Sequence, residues 1–260
     1  MTKPIGLTIA GSDSIGGAGL QADLKTFEAF DVYGTSVVSL ITAQNTQGVE
    51  HVEMLSPSLV EGQLRAVCTD VDVAATKTGA LGNAGVIERV AAGVHEFGLA
   101  NLVVDPVMVS KHGHQLIDES AVEAMVESLI PMASVITPNL HEAALLADES
   151  IRTAAEMEEA AVALRERFGV SVLITGGSLA DADAIDVLAD SDGVTRFRSE
   201  RQQSRSTHGT GCTLSAAIAA GLARGVPLRK AVEMGKDYVD RAMRQAPNIG
   251  GGIGPLNHRQ

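Results

Sequence analysis

Short apolar runs alternate with longer amphipathic stretches along the whole chain. Leu7-Thr8-Ile9-Ala10, Val37 to Ile41, Leu102 to Val104, Val135-Ile136 and Val172 to Ile174 are largely aliphatic at consecutive positions. Strands buried on both faces read this way, whereas a half-buried strand alternates. Helix start signals lie between the runs: Ser58 with Glu61, Ser120 with Glu123, and Thr153 with Glu156 have capping-box spacing. After Thr153, residues Met157, Ala160, Ala161, Leu164 and Phe168 share one helical face, and Gly169 stops the helix. This alternation predicts an α/β fold, a three-layer αβα sandwich around a mostly parallel central sheet. Ala180 to Gln203 reads as a β excursion with a polar turn at Asp190-Ser191-Asp192-Gly193, and Gly250 to Gly254 as a glycine-rich loop. No low-complexity linker or internal repeat interrupts the pattern, so residues 1–260 are read as a single domain.

Open parallel sheets bind ligands outside the C-terminal ends of their strands. Ser12-Asp13, Gln44-Asn45, Asp105, Asn139 and Thr175 all follow strand-like runs, which brings them to one edge. The densest chemistry lies at Thr207-His208-Gly209-Thr210-Gly211-Cys212, directly before a small-residue helix expected over Thr213 to Ala223. Glycines there free the backbone to turn its amides toward one point. The helix start adds unpaired N–H groups and a positive dipole end, a setting that suits a phosphate. Thr207 and Thr210 add hydroxyls. Cys212 sits where a thiol pKa of about 8.5 is expected to fall, giving a thiolate able to take a proton from an alcohol. A plain glycine turn before a helix is the alternative.

The other motifs are weaker. Gly17-Ala18-Gly19 sits in a loop that fits a dinucleotide fingerprint only with Ala22 in its third glycine slot, and no Walker A sequence is present. Asp105 precedes Pro106, so it reads either as a Mg²⁺ or phosphate residue or as part of an extended turn. Asn139 and Glu142 have the spacing of an N-cap and a first-turn acid, which is compatible with a place near metal and phosphates. Lys111-His112-Gly113-His114 offers two histidines but no third ligand nearby, and reads as a solvated loop.

Composition narrows the partners. With 45% hydrophobic residues, 260 residues can bury a sizeable core. A net charge of −12, aromatics at only 3% and no Trp argue against a nucleic-acid binder. A phosphorylated ligand must then find local cations or helix ends. Cys68 and Cys212 form no disulfide framework or metal motif. The apolar run after Met1-Thr2-Lys3-Pro4 is too short for a signal peptide or membrane span, which points to a cytoplasmic protein with no membrane partner.

Taken in order, these motifs resemble the hydroxymethylpyrimidine/phosphomethylpyrimidine kinases of thiamine biosynthesis, within the ribokinase-like superfamily. The resemblance runs from Leu7 to Asp13, through Gly16 to Phe27, Tyr33-Gly34-Thr35-Ser36, Thr42 to Thr46, Lys77-Thr78-Gly79, Val104 to Val109, Ile136 to Asn139 and Thr207 to Ser215, to the tail Gly252 to His258. It implies a ribokinase-like fold, a homodimer, and ATP with Mg²⁺ as cofactors. Two phosphorylations are implied, of 4-amino-5-hydroxymethyl-2-methylpyrimidine and then of its monophosphate. By the same resemblance Gly11, Asp23, Gln44, Ala80 and Val107 bind the pyrimidine. Asp105, Asn139, Thr175, Gly177 and Thr207 bind ATP, and Asp105 and Glu142 hold the metal. Gly209, Thr210, Gly211 and Cys212 are the catalytic anion hole, with Cys212 as base. The chain departs from the common pattern at Ala80 (often Met), Thr175 (often Lys), Ser178 (often His) and Ser206 (often Asn). A related branch of pyridoxal kinases shares the Thr-Gly-Gly pattern and the cysteine, which makes pyridoxal the alternative substrate. Gln44 favours the pyrimidine and Thr175 the pyridoxal. A nucleotide-sensing protein that kept the fold is a non-enzyme alternative, against which Asp105, Glu142 and Cys212 argue.

Overall fold

The computed structural model describes residues 3–108, 117–177, 179 and 183–259. Strand β1 (Ile5–Asp13) leads through helix α1 (Gly19–Ala29) to β2 (Tyr33–Gln44), which turns back as β3 (Val49–Met54). Then follow α2 (Pro57–Cys68), β4 (Val73–Thr78), α3 (Ala84–Glu96), β5 (Leu102–Val104) and α4 (Glu119–Ala124). After a wider π turn at Met125–Leu129 come β6 (Val135–Ile136), α5 (Leu140–Ala147), α6 (Ala154–Phe168) and β7 (Ser171–Thr175). A hairpin of β8 (Asp183–Asp190) and β9 (Gly193–Glu200) precedes α7 (Thr210–Ala223) and α8 (Leu228–Arg244).

The strands form one sheet in the order β3-β2-β1-β4-β5-β6-β7-β8-β9. Neighbours from β2 to β7 pair in parallel, while β3, β8 and β9 are antiparallel additions at the two edges. The continuous apolar runs are explained by burial on both faces. Leu102 and Val104 join a core beneath α2 to α6, and Val103 joins a second core beneath α1, α7 and α8. Val172 and Ile174 divide from Leu173 in the same way. The expected three-layer sandwich is what forms, and the excursion at Ala180 to Gln203 contributes the β8–β9 hairpin.

Local signals fared unevenly. The capping box at Thr153 and Glu156 forms, and Gly169 closes α6 with φ of 71°. Two expected caps are displaced. The α2 cap is Ser56, followed by Pro57, and the α4 cap is Asp118, each accepting an N–H three residues on. Helix α7 begins at Thr210, not Thr213, so Cys212 lies inside its first turn. Strands β3 and β4 carry no continuous run of large aliphatic residues. The first is an edge strand with exposed Glu50, His51 and Glu53, and the second ends in buried Thr76, Lys77 and Thr78, whose polarity hides it.

Candidate active site

The chain leaves β1 toward β2 on one side, and later strands are added on the other side beginning with β4. That reversal of strand order opens a crevice at the C-terminal ends. A cavity of about 810 Å³ occupies it. Gly11, Gln44, Ala80 and Val107 line it, as do Asp105, Asn139, Glu142, Thr175 and Gly177. Thr207 and the Gly209 to Cys212 turn complete the wall. Gln44 on β2 and Thr175 on β7 are five strand spacings apart, roughly 24 Å.

At the Gln44 end two loops lock together by backbone contact. Gly19 (φ 53°) lies against the carbonyl oxygen of Gly11, and Gly209 (φ 84°) against that of Gly17, so a Cβ at either glycine would collide with backbone. Asp13 ties the same loops. Its Oδ2 accepts the N–H groups of Gly17 and Ala18 at 2.9 and 2.8 Å, and Nε2 of His208 at 2.8 Å. Its Oδ1 accepts from Ile15 N at 3.1 Å. Burial opposes the charge of Asp13, but His208 and the amides outweigh it and hold the carboxyl below its ordinary value. Beside this knot, Gln44 Oε1 lies 3.3 Å from Thr42 Oγ1, and Gln44 Nε2 lies 3.3 Å from His208 Nε2.

Asp23 does not reach the cavity, and the expected contact with substrate is corrected. It points from α1 into the sheet with 0% exposure, accepting Thr8 Oγ1 at 2.6 Å and Lys77 Nζ at 3.0 and 2.9 Å. Lys77, also at 0% exposure, lies 3.9 Å from Asp105 Oδ2 as well. Burial works against the lysine charge, yet Asp23, Cys212 and Asp105 around it hold its pKa above the ordinary value. Burial raises the Asp105 carboxyl, while Lys77 and Ser215 (Oγ to Oδ2, 3.1 Å) draw it back.

Cys212 is a second correction. The helix start was expected to lower its pKa, but burial, with Asp105 and Asp23 adding to it, pushes the thiol up to about 12. Lys77 and the Gly19 N–H act in the opposite direction and do not prevail. In the free protein Cys212 is therefore a thiol at neutral pH.

At the Thr175 end, Asn139 caps α5 by accepting from the N–H groups of His141 and Glu142 at 2.9 and 3.1 Å. Glu142 returns the bond, accepting from Asn139 N at 2.9 Å. The capping residues also line the cavity, so the capping role does not exclude a place in the site. Burial, and next the nearby Asp105, push the Glu142 carboxyl up to about 8. Sequence reasoning missed Lys236, which reaches this end from α8, 8% exposed, with Nζ 2.7 Å from Asp186 Oδ2. Asp186 pairs with Thr175 across β7 and β8, and its Oδ1 accepts from Gly176 N at 3.0 Å. A cation thus stands next to the position where the lysine expected at Thr175 is missing. Arg201 also lines this end and holds the Gly177 carbonyl at 2.7 Å. No sequence signal marked Lys236, since its partner is fifty positions away.

The Lys111 to His114 loop and Ser178 lie outside the described residues. Among the described residues, no group of three or more His, Cys, Asp or Glu side chains forms a metal cage. Mg²⁺ does not need one, because it takes one or two carboxylates and fills its shell with water and substrate phosphates. Asp105 and Glu142 fit that requirement, as two buried carboxyls whose pKa values are both raised. Among the same residues, no helix is long and apolar enough to cross a membrane.

Known proteins are similar to this chain along most of its length. The family model described as phosphomethylpyrimidine kinase matches residues 13–257. A hydroxymethylpyrimidine/phosphomethylpyrimidine kinase of Rhizobium meliloti (strain 1021) is 49% identical over 98% of this chain and 96% of its own length. Among solved structures, the ADP complex of Bacillus subtilis pyridoxal kinase superposes with a TM-score of 0.92 at 37% identity, covering 99% of this chain and 98% of that one. The phosphomethylpyrimidine kinase of Clostridium difficile 630 superposes with a TM-score of 0.83 at 39% identity, over 92% of this chain and 99% of that one.

Proposed function

Because the chain belongs to the phosphomethylpyrimidine kinase family, we propose that its cavity is a two-step kinase site read at one end and charged at the other. The enzyme phosphorylates 4-amino-5-hydroxymethyl-2-methylpyrimidine with ATP, and then its monophosphate to the diphosphate, in thiamine biosynthesis. The observation that carries the site assignment is the convergence of Gln44, the Gly209 to Cys212 helix start, and the Asp105–Glu142 pair on one cavity.

Gln44 faces the pyrimidine edge with a donor and an acceptor. Gly11, Ala80 and Val107 flank the ring, and Asp23 contributes indirectly by fixing Lys77. The nucleotide lies toward Asn139, Thr175, Gly177 and Thr207, with Lys236 as the cation near its phosphates. Mg²⁺ held by Asp105 and Glu142 would neutralise charge on the phosphates. The acceptor oxygen attacks the γ-phosphorus, the bond to the ADP oxygen breaks, and the amides of Gly209 to Cys212 meet the charge on the moving group. In the first step the alcohol also loses a proton. Cys212 is the acceptor, after its own proton has passed to solvent water in the open cavity; Lys77 and the Gly19 N–H are the groups that favour the thiolate so formed. In the second step the acceptor is a phosphate monoester that is already largely ionised, and this demand lapses.

A second reading is favoured by Thr175 and by the match to the pyridoxal kinase structure: pyridoxal as an additional substrate. Steady-state kinetics on hydroxymethylpyrimidine, its monophosphate and pyridoxal, each with ATP–Mg²⁺, test the proposal. Turnover of both pyrimidines with the higher kcat/KM supports it, and a clear preference for pyridoxal overturns it. A cytoplasmic homodimer belongs to the same proposal. Tyr33, Ile41 and Met54, exposed on β2 and β3, support it, and sedimentation of the purified protein tests the dimer.

A further inference from the structure

A glutamine amide has nearly the same outline either way round, so its neighbours' protons decide its orientation. At Gln44 those protons can be counted. His208 Nε2 lies 2.8 Å from Asp13 Oδ2, a carboxylate oxygen that only accepts, so Nε2 carries hydrogen. His208 is 3% exposed and Asp13 is likewise 3% exposed, which leaves solvent little access to this contact. Thr42 Oγ1 has one hydrogen, and the carbonyl oxygen of Ser12 takes it at 3.0 Å. The single hydrogen on His208 Nε2 points mainly at Asp13, and a protonated ring nitrogen has no lone pair in the ring plane. Nε2 therefore cannot accept from Gln44 and can only share its hydrogen with an oxygen placed there, while a lone pair faces Gln44 on the Thr42 side. With Gln44 Nε2 turned toward His208 at 3.3 Å, an amide N–H would meet a protonated ring nitrogen that cannot accept it. The opposite orientation removes that mismatch, lets the Gln44 carbonyl share the His208 hydrogen with Asp13, and gives the Thr42 lone pair a donor.

We infer that Gln44 turns its carbonyl oxygen to His208 and its amide NH₂ to Thr42, and that the Asp13–His208 pair is a positioning device for pyrimidine selectivity. The inference rests on the proposed role of Gln44 as pyrimidine reader. Its chemical consequence is specific. An aminopyrimidine carries a ring-nitrogen acceptor directly beside an exocyclic amino donor, and an amide held in one orientation meets that ordered pair. Pyridoxal has a methyl-bearing carbon between its ring nitrogen and its hydroxyl, so it lacks such an edge. An amide free to rotate loses the distinction. His208 belongs to the same turn as the anion hole, so orientation of the reader is built into the Thr207 to Cys212 sequence.

The test is a double-mutant cycle in the full-length enzyme, read as separate KM and kcat values. His208→Leu removes the donor and is expected to raise KM for hydroxymethylpyrimidine about tenfold, the scale of one hydrogen bond. KM for ATP, KM for pyridoxal and kcat are expected to move far less. His208→Gln returns an N–H and recovers most of the loss. In a Gln44→Ala background, adding His208→Leu changes KM by no more than about twofold. An undiminished loss in that background overturns the inference, because His208 would then act on the loop and not through Gln44. A Gln44→Ala enzyme with unchanged pyrimidine KM shows that the reader assignment itself fails, and the inference falls with it. Thr42→Val approaches from the other side and leaves Asp13 and His208 in place. It is expected to raise the same KM several-fold, and no change there overturns the orientation even if the leucine variant does not fold.

Discussion

The two halves of the cavity treat charge in opposite ways. Around Gln44 and the buried layer beneath it, charges are satisfied by the protein itself: Asp13 by three amides and His208, Asp23 by Lys77 and Thr8. Around Glu142 the protein leaves charge unsettled. Burial raises the Asp105 and Glu142 carboxyls, Asp105 raises Glu142 further, and no cation from the chain is in hydrogen-bond contact with Glu142 among the described residues. The first half is preorganised to receive a neutral heterocycle, whose recognition needs fixed dipoles. The second is arranged so that a cation arriving with the nucleotide completes it. Cys212 lies at the junction, near Lys77 from one half and Asp105 from the other.

The largest expected effect is at that junction. Cys212→Ala is expected to lower kcat for the alcohol step by about 10²–10⁴-fold, the usual contribution of a positioned proton acceptor. The monophosphate step should fall much less, since its acceptor needs no proton removed. Equal losses in single-turnover assays of the two steps would place Cys212 in positioning alone and erase its special tie to the first step.

Removing Lys77 breaks the self-contained half. Lys77→Met leaves Asp23 buried with no cation, and is expected to destabilise the protein by about 3–5 kcal/mol in urea titration. The double variant Lys77→Met/Asp23→Leu is expected to regain most of that loss, because it removes both charges. If the double variant is as unstable as the single one, the pair is not what holds this layer.

At the nucleotide half, Lys236→Met is expected to raise KM for ATP roughly tenfold, as loss of one charge-assisted bond does, with KM for the pyrimidine little changed. An unchanged KM for ATP would reduce the Lys236–Asp186 pair to a structural link between α8 and β8.

What was legible in the sequence follows the range of the interactions involved. Strands buried on both faces announce themselves through consecutive apolar residues, as do local caps such as Thr153 with Glu156 and Asn139 with Glu142 through their spacing. The turn at Thr207 to Cys212 was legible because its glycines and the helix after it are contiguous. Asp23 misled because a resemblance transfers a residue but not its partner, and Lys77 lies fifty-four positions away. Lys236 was invisible for the same reason. The Cys212 pKa went wrong because a helix end is a local feature, whereas the burial and carboxylates that oppose it are tertiary. Edge strand β3 lacks an apolar signal because water covers much of it.

One measurement tests the contrast between the halves most directly: thermal unfolding of the ligand-free wild type, Glu142→Gln and Lys77→Met, run side by side at pH 5 and pH 9. The Glu142 carboxyl titrates near 8 in the fold against an ordinary 4.5, so its stabilising contribution is full below pH 4.5 and lost as pH rises through 8. The amide introduced by Glu142→Gln cannot ionise and can still accept the Asn139 N–H, so at pH 9 this variant should melt higher than wild type, by about 2–4 °C per kcal/mol regained. Lys77→Met should melt lower at both pH values. Opposite signs at pH 9 support a cavity with one half satisfied by the protein and one half left for the nucleotide's cation. A Glu142→Gln protein that melts lower than wild type at pH 9, as Lys77→Met does, would contradict it.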